Sequence, residues 1–458
     1  MKSFEMDMTK GPILKNMILY ALPILGVNIV QLLFNAADVT ILGIFTTDSA
    51  VAAVGSTTSI INLMIGFFIG LSLGANILIA RYMGARDESK SRKLVGTSVC
   101  MSLIVGVVLA VIGFFGARTF LTWVNCDVNV IDMATKYMQI YFLGMPIVML
   151  YNFCASIMRA VGDTLRPLIF LIIGGVINIG LNVFFILVLK KDVEGVAIAT
   201  VSSQAVSAML SLIVLSKSNG YAKLERKYLR IFKKEFLEIL KYGLPIGFQR
   251  CMFSLSNVVV AKAINSYGEK LMAANTIAHQ FDAIVHDATD AFAMATMAFV
   301  AQNLGAQNFS RIWKIVRRSV VMVSTVAVLL GMTCILFRRQ LCGIMTDDAE
   351  IIAYGATRIA IFSSFHFLTG TMNVFANLLR GMGKNFSTMI ISLICTCVFR
   401  IIWIKSIYLL VPTIEMLYAV YPISWALCAL SFMCLAIPSL KKLQKKYEIK
   451  KQVLREQC

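Results

Sequence analysis

The chain has 458 residues, of which 58% are hydrophobic and only 15% charged, with 43 Lys and Arg against 24 Asp and Glu for a net charge of +19. A soluble domain is roughly 45–50% apolar and about 25% charged, so a mean hydropathy of +0.78 excludes a water-soluble globular protein and points to an integral membrane chain. The position of the charge excludes the nucleic-acid partner that its size suggests: roughly 30 of the 43 cationic residues fall at the N-terminus, in alternate loops or in the C-terminal tail, which is the positive-inside pattern with both termini cytoplasmic.

Apolar runs long enough to cross a bilayer, roughly 17–25 residues each, recur about a dozen times, and helices are the only reading, since no alternating pattern suggests a barrel. Residues 1–15 lack a cleavable signal and form a cytoplasmic stub. The first span, 17–44, carries Pro23, which frees local carbonyls, and then Gln31, Asn35 and Asp38 on one helical face. The second, 51–80, places Gly66, Gly70 and Gly74 at four-residue spacing, a face that lets another helix approach. Spans 94–117 and 134–157 follow a basic inner loop with Arg81, Arg86, Lys90, Arg92 and Lys93. The fifth, 165–189, holds Asn178 and Asn182, and the sixth, 193–216, holds Thr200, Ser202, Ser203 and Gln204.

A basic stretch, 217–235, then links to spans 237–263, 272–301, 312–337, 350–379, 387–410 and 414–437, with a basic tail at 439–458. The eighth span bears His279, Asp282, His286 and Asp290 at intervals of three, four and four, hence on one face, with Asp287 beside them. Arg250 and Arg400 also lie within spans, where snorkelling or pairing with a carboxylate is the ordinary role. Most cysteines lie inside spans and act as small apolar residues. Cys126 and Cys342 alone sit in outer loops, where a bridge is open to them. Zinc fits the spacing of His279, Asp282 and His286 but matches no motif.

The chain repeats itself. Tyr82-Met83-Gly84-Ala85-Arg86 returns as Asn303-Leu304-Gly305-Ala306-Gln307, and Arg159-Ala160-Val161-Gly162 as Arg380-Gly381-Met382-Gly383, each 221 positions on. Six spans per half is an even number, so the duplication is parallel: an N-terminal lobe at 1–216, a cytoplasmic linker at 217–235, a C-terminal lobe at 236–438 and the tail at 439–458. Such a duplication is the mark of a transporter with its substrate path between two bundles.

Ionisable groups within spans carry the chemistry, since each costs about 2.5–3.5 kcal/mol on insertion scales. Asp38 among the amides and hydroxyls of Asn178, Asn182 and Thr200 reads as a group that takes and releases a proton as access changes, against the plainer alternative of a polar knot that fixes helix packing. The position matching Asp38 in the second half is Val260, so that half offers instead His279, Asp282, His286 and Asp290 as candidates for coupling or substrate binding. No nucleotide-binding P-loop is present, so the work is drawn from an ion gradient. A membrane-embedded enzyme would need a catalytic pair or metal motif, and no clear one is seen.

Taken in order, Ala21-Leu22-Pro23-Ile24 running on to Asp38, Gly74-Ala75-Asn76 followed by Ala80-Arg81-Tyr82-Met83-Gly84-Ala85, Arg159 to Thr164, Asn178, Asn303-Leu304-Gly305-Ala306 and Leu379-Arg380-Gly381 resemble the multidrug and toxic compound extrusion (MATE) family of the MOP flippase superfamily, over the whole chain. The resemblance implies an all-α integral membrane protein of about twelve helices in two pseudo-symmetric six-helix lobes around a V-shaped cavity. It implies a plasma-membrane antiporter, not an enzyme, that needs no cofactor, acts as a monomer among membrane lipids and exports organic cations and drugs in exchange for H+ or Na+. Asp38 would be its ion-coupling acid, with Asn178 and Thr200 in the network and Pro23 at the bend of the first helix. Two departures stand out: Asn182 where proton-coupled members often have a second acid, and Phe253 where another branch has a Glu. A lipid-linked oligosaccharide flippase of the same superfamily is the alternative, and it would favour more spans and a strongly cationic cavity.

Overall fold

The computed structural model describes residues 5–456, so the first four residues of the expected stub and the last two of the tail lie outside the described part. The helices in chain order are α1 (Ile13–Phe45), α2 (Asp48–Gly84), α3 (Glu88–Trp123), α4 (Ile131–Leu143), α5 (Met145–Ala160), α6 (Leu165–Val183), α7 (Val193–Lys217), α8 (Lys233–Asn265), α9 (Glu269–Gly305), α10 (Phe309–Leu336), α11 (Arg338–Gly343), α12 (Ala349–Gly381), α13 (Asn385–Ser392), α14 (Phe399–Lys405), α15 (Ile407–Leu410) and α16 (Ile414–Glu456). Among the described residues, nine helical segments are long and apolar enough to cross a membrane, and α4 with α5, bent by 50° at Gly144, makes a tenth span. The two remaining spans expected from the sequence are α8 and α9, at 33 and 37 residues. They are long enough to cross but too polar to pass on hydropathy, because they carry Gln249, Arg250, Asn257 and the His279–Asp290 stripe.

Local chemistry sets where these helices begin. Thr47 accepts a hydrogen bond from the Ala50 N–H to cap α2, and Asp87 accepts one from the Lys90 N–H to cap α3; each satisfies an orphan donor of a first turn. The repeat is visible in the backbone as well. Asn308 caps α10 through the Arg311 N–H as Asp87 caps α3. The residue before each cap, Arg86 and Gln307, is left-handed at φ 57° and 58°. Gly162 and Gly383, 221 apart like the first pair, take φ 88° and 84°.

Two compact units result: Met1–Asp7 with Pro23–Gly247, and Met8–Leu22 with Phe248–Cys458. The chain changes unit inside α1 at Pro23 and inside α8 two residues after Pro245. A proline lacks the N–H that would bond the carbonyl four residues back, so a helix is weakest there. In the second unit the stretch from Met8 to Leu22 is pinned to α9 and α10. The Met8 N–H donates to Gln302 Oε1 at 2.5 Å, Asn303 Nδ2 to the Met8 carbonyl at 3.1 Å, and the Arg311 guanidinium to the carbonyls of Met8, Lys10 and Gly11. Tyr20 meets Phe299 edge to face at 5.8 Å.

In the first unit the connection after α7 lies on α3: Ser91 donates to the Tyr221 carbonyl at 2.9 Å, and Arg92 pairs with both Glu88 and Glu225. Lys227, with Arg92 and Lys223, holds the Glu225 carboxyl below its usual range. The first part of α8 crosses α2 at bare backbone. A Cβ on Gly70 would lie 2.3 Å from the Gly247 nitrogen and one on Gly74 2.7 Å from the Gly243 nitrogen, whereas Gly66 has open space around it. The close approach read from the spacing therefore belongs to Gly70 and Gly74 only. Gly70→Ala forces two backbones apart that have no side chain to yield, so it is expected to cost about 2–3 kcal/mol, seen as a clear drop in thermal unfolding temperature in detergent, while Gly66→Ala leaves it unchanged.

Candidate functional site

In the first unit a cavity of about 270 Å³ is lined by Gln31, Asn35 and Asp38 of α1, Asn62 of α2, Tyr141, Tyr151 and Asn152 from α4 and α5, Asn178 of α6, and Thr200, Ser203 and Gln204 of α7. Glycine decides how α1 reaches it. A Cβ on Gly175 would fall within the ring of Phe34, at 1.7 Å, and one on Gly174 would meet Ser207 Oγ at 2.3 Å. With hydrogen at Gly175, the Phe34 ring seats directly on α6, and with hydrogen at Gly174, Ser207 of α7 does; Asp38, one turn beyond Phe34 on α1, comes to the next turns of α6.

There a chain of polar groups runs from Asp38. Asn182 Nδ2 donates to Asp38 Oδ1 at 2.5 Å and lies 3.4 Å from Asn178 Oδ1; Asn178 Nδ2 in turn faces Thr200 Oγ1 at 3.4 Å, and Thr200 donates to the Val196 carbonyl at 2.9 Å. Asn182 is fully buried and Asn178 nearly so, while Asp38 is partly exposed toward the cavity. Asp38 is the only carboxylate among the lining residues. The α-helical hydrogen bonding of α6 widens just past Asn182 into a π-helical stretch, Phe184–Val188, an irregularity common at functional sites.

The structure thus brings together all six first-half residues expected from the sequence. Asn182 reaches the site through Asp38 and not by lining the open space. Asn62, Tyr151 and Asn152 were not singled out in the sequence. An Asn at the middle of an apolar run was the readable signal for the first and last of these.

The second unit holds a larger cavity, of about 500 Å³, lined by His279, Asp282, His286 and Asp287 of α9, by Phe253 and Asn257 of α8, by Arg358, Phe362, His366 and Thr369 of α12, and by Tyr421 and Trp425 of α16. Three members of the expected stripe share this space. Asp290 does not: one turn further along α9, it lies beyond the cavity, where the Arg380 guanidinium is its electrostatic neighbour. Asp282 and Arg358 form an ion pair at 3.1 Å, with side chains only 7% and 5% exposed. Arg358 also donates to the Asn275 carbonyl and lies over the Phe362 ring at 4.6 Å. This arginine was not anticipated, although as a lone charge in an apolar stretch of α12 it was open to the same reading as Asp38.

Among the described residues no group of three or more His, Cys, Asp or Glu is placed to hold a metal ion. Cys126 and Cys342 are free thiols. Both cavities have room for a small molecule, and the first presents the Asp38 carboxylate to that space.

Comparison with known proteins agrees with this architecture. The MatE family model matches residues 23–184 and again 245–404, once in each half. The chain is 28% identical over 383 residues to the "Probable multidrug resistance protein YoeA" of Bacillus subtilis, covering 82% of each chain. It is 20% identical over 377 residues to the "Multidrug export protein MepA" of Staphylococcus saprophyticus, covering 82% of this chain and 83% of that one. Its fold superposes with a TM-score of 0.89 on an outward-facing multidrug resistance MATE family transporter of the MOP superfamily, at 21% identity over 97% of this chain and all of the other. A duplicated all-helical membrane chain, with an intramembrane acid and a polar cavity in the first half and a family match to each half, is therefore a transporter and not an enzyme: the protein belongs to the MATE family.

Proposed function

We propose that the protein is a monomeric multidrug exporter of the plasma membrane, with both termini cytoplasmic, that expels organic cations and drugs in exchange for protons, and that Asp38 carries the coupling proton. The observation that supports this most is the polar chain at Asp38. Its carboxylate meets an amide N–H of Asn182, a donor, whereas a sodium ion would need several oxygens turned toward it. A lone carboxylate, half open to a wet cavity and held by neutral amides, binds one proton when the cavity faces the acidic side and competes with a cationic substrate for the same space. One charge crossing 100 mV releases about 2.3 kcal/mol, which sustains roughly fifty-fold accumulation before any pH gradient is added.

In the second unit, Asp282, His279 and His286 serve as a substrate-facing wall, and Asp290 acts outside that wall. Pro23, where α1 passes from one unit to the other, is the proposed hinge. The test is ethidium efflux from vesicles under an imposed pH gradient and then an imposed sodium gradient. Efflux is expected to follow the pH gradient; efflux that follows sodium alone removes the proton assignment.

A further inference from the structure

Arg400, on α14, is the largest side chain in the second unit with no exposed surface at all. Its Nε donates to Ser424 Oγ at 3.1 Å and its Nη1 to Asn257 Oδ1 at 2.9 Å, while Nη2 has no partner. Among the described residues no carboxylate pairs with it; the ion pairs of this unit engage Asp282, Asp348 and Glu350, with Arg358 and Lys270. A guanidinium stays charged in any protein environment, and a buried charge is costly unless it is paired. Arg400 is therefore a fixed positive charge still lacking its counter-ion.

It stands directly behind the larger cavity. Asn257, Phe253 and Tyr421 line that cavity, and Arg400 touches all three: it bonds to Asn257 and lies over the Phe253 and Tyr421 rings at 5.5 and 4.4 Å. With its oxygen turned to Arg400, Asn257 presents its amide N–H donors on the side away from the guanidinium. One face of Phe253 and one of Tyr421 are covered by Arg400, and one of Phe362 by Arg358, so part of the aromatic surface that would attract a cationic ligand is already taken by guanidinium groups. His366, 2% exposed and stacked on Trp425 at 5.8 Å, has both ring nitrogens without partners. The acids are distributed differently: Asp282 is spent on Arg358, and Asp287 is exposed, at the rim.

We infer that this cavity binds a planar aromatic molecule that carries an anionic group, a carboxylate or sulfonate, with the anion at the Asn257 amide in front of Arg400 and the ring beside Trp425. A zwitterion would place its ammonium toward Asp287. The assignment adds anion-bearing aromatic compounds to the drugs of the transporter reading and makes this cavity their site, not that of the simple organic cations; it rests on that reading only for the idea that the bound molecule is cargo, and binding itself is independent of Asp38 and of proton coupling.

The experiment measures quenching of Trp425 by nitroaromatic probes in the purified full-length protein in phosphatidylcholine nanodiscs, with the signal of Trp425→Phe subtracted. The probes are 4-nitrobenzoate, neutral 4-nitrobenzyl alcohol and 4-nitrobenzylammonium. The anion is expected to bind at least about tenfold tighter than either of the others. Asn257→Asp gives Arg400 the carboxylate it lacks at nearly unchanged shape, so it should fold, lose about tenfold or more in affinity for the anion and keep its affinity for the alcohol. Arg400→Gln should act in the same direction, and if it does not fold, Asn257→Asp decides. Equal or tighter binding of the ammonium probe in the wild type, or an Asn257→Asp protein that holds the anion as well as before, overturns the inference. Neither result touches the Asp38 reading, which only a transport assay reports.

Discussion

Asp38→Asn is expected to abolish pH-driven ethidium efflux, lowering the initial rate by about a hundredfold or more, in a protein that folds and inserts as the wild type does. The substitution keeps size and keeps an oxygen for Asn182 Nδ2 to bond, so the polar chain to Asn178 and Thr200 survives while the proton site is lost. A merely structural knot would behave the other way: Asn would serve it nearly as well as Asp, and the damage would follow loss of the hydrogen bond. Asn182→Ala separates the two cases. It removes the donor and leaves the acid, and is expected to shift the pH at which efflux is half-maximal while preserving transport. An Asp38→Asn protein that pumps at the wild-type rate under a pH gradient removes the coupling assignment from the first unit and turns attention to Asp282 and its neighbours on α9.

Much of this architecture was open to reading in one dimension because the membrane imposes a simple rule. Backbone groups must be satisfied within each span, so length, apolarity and loop charge give the helices, and the 221-residue offset gives the duplication that the left-handed pairs Arg86/Gln307 and Gly162/Gly383 display. Polar residues on one face of a span, such as Gln31, Asn35 and Asp38, must look inward, which is why the first cavity was legible. Other features depend on what faces a residue across space. Helical spacing puts Asp290 on the same face as Asp282 and His286, but a face 37 residues long passes more than one environment, and the cavity ends before Asp290. The crossing of α1 and α8 between units at Pro23 and beyond Pro245 has no periodic signal, because a proline marks a weak point and not where the chain goes next. Arg358 and Arg400 were legible as charges out of place, but only geometry shows that one is paired and the other is not.

The paired arginine carries the second large effect. Arg358→Leu is expected to destabilise the protein by about 3–5 kcal/mol, because it leaves Asp282 buried beside apolar carbon with no counter-ion. Among the described residues Asp282 has no hydrogen bond to fall back on: both of its carboxylate oxygens lack a donor of good geometry, and Arg358, at 3.1 Å, is the one ion-pair partner it has there. Asp282→Leu alone strands the guanidinium less severely, since Arg358 keeps the Asn275 carbonyl and the Phe362 ring. In the double variant neither charge remains to be desolvated, so most of the loss in Arg358→Leu should be recovered. The non-additivity of the cycle then measures the coupling between the two residues. Thermal unfolding in detergent, followed with a thiol-reactive dye at the buried cysteines Cys154, Cys395 and Cys428, reads all four proteins. Strictly additive losses would mean that the pair is not a unit in solution, and that the wall of the larger cavity is held by the packing of α9 on α12 alone.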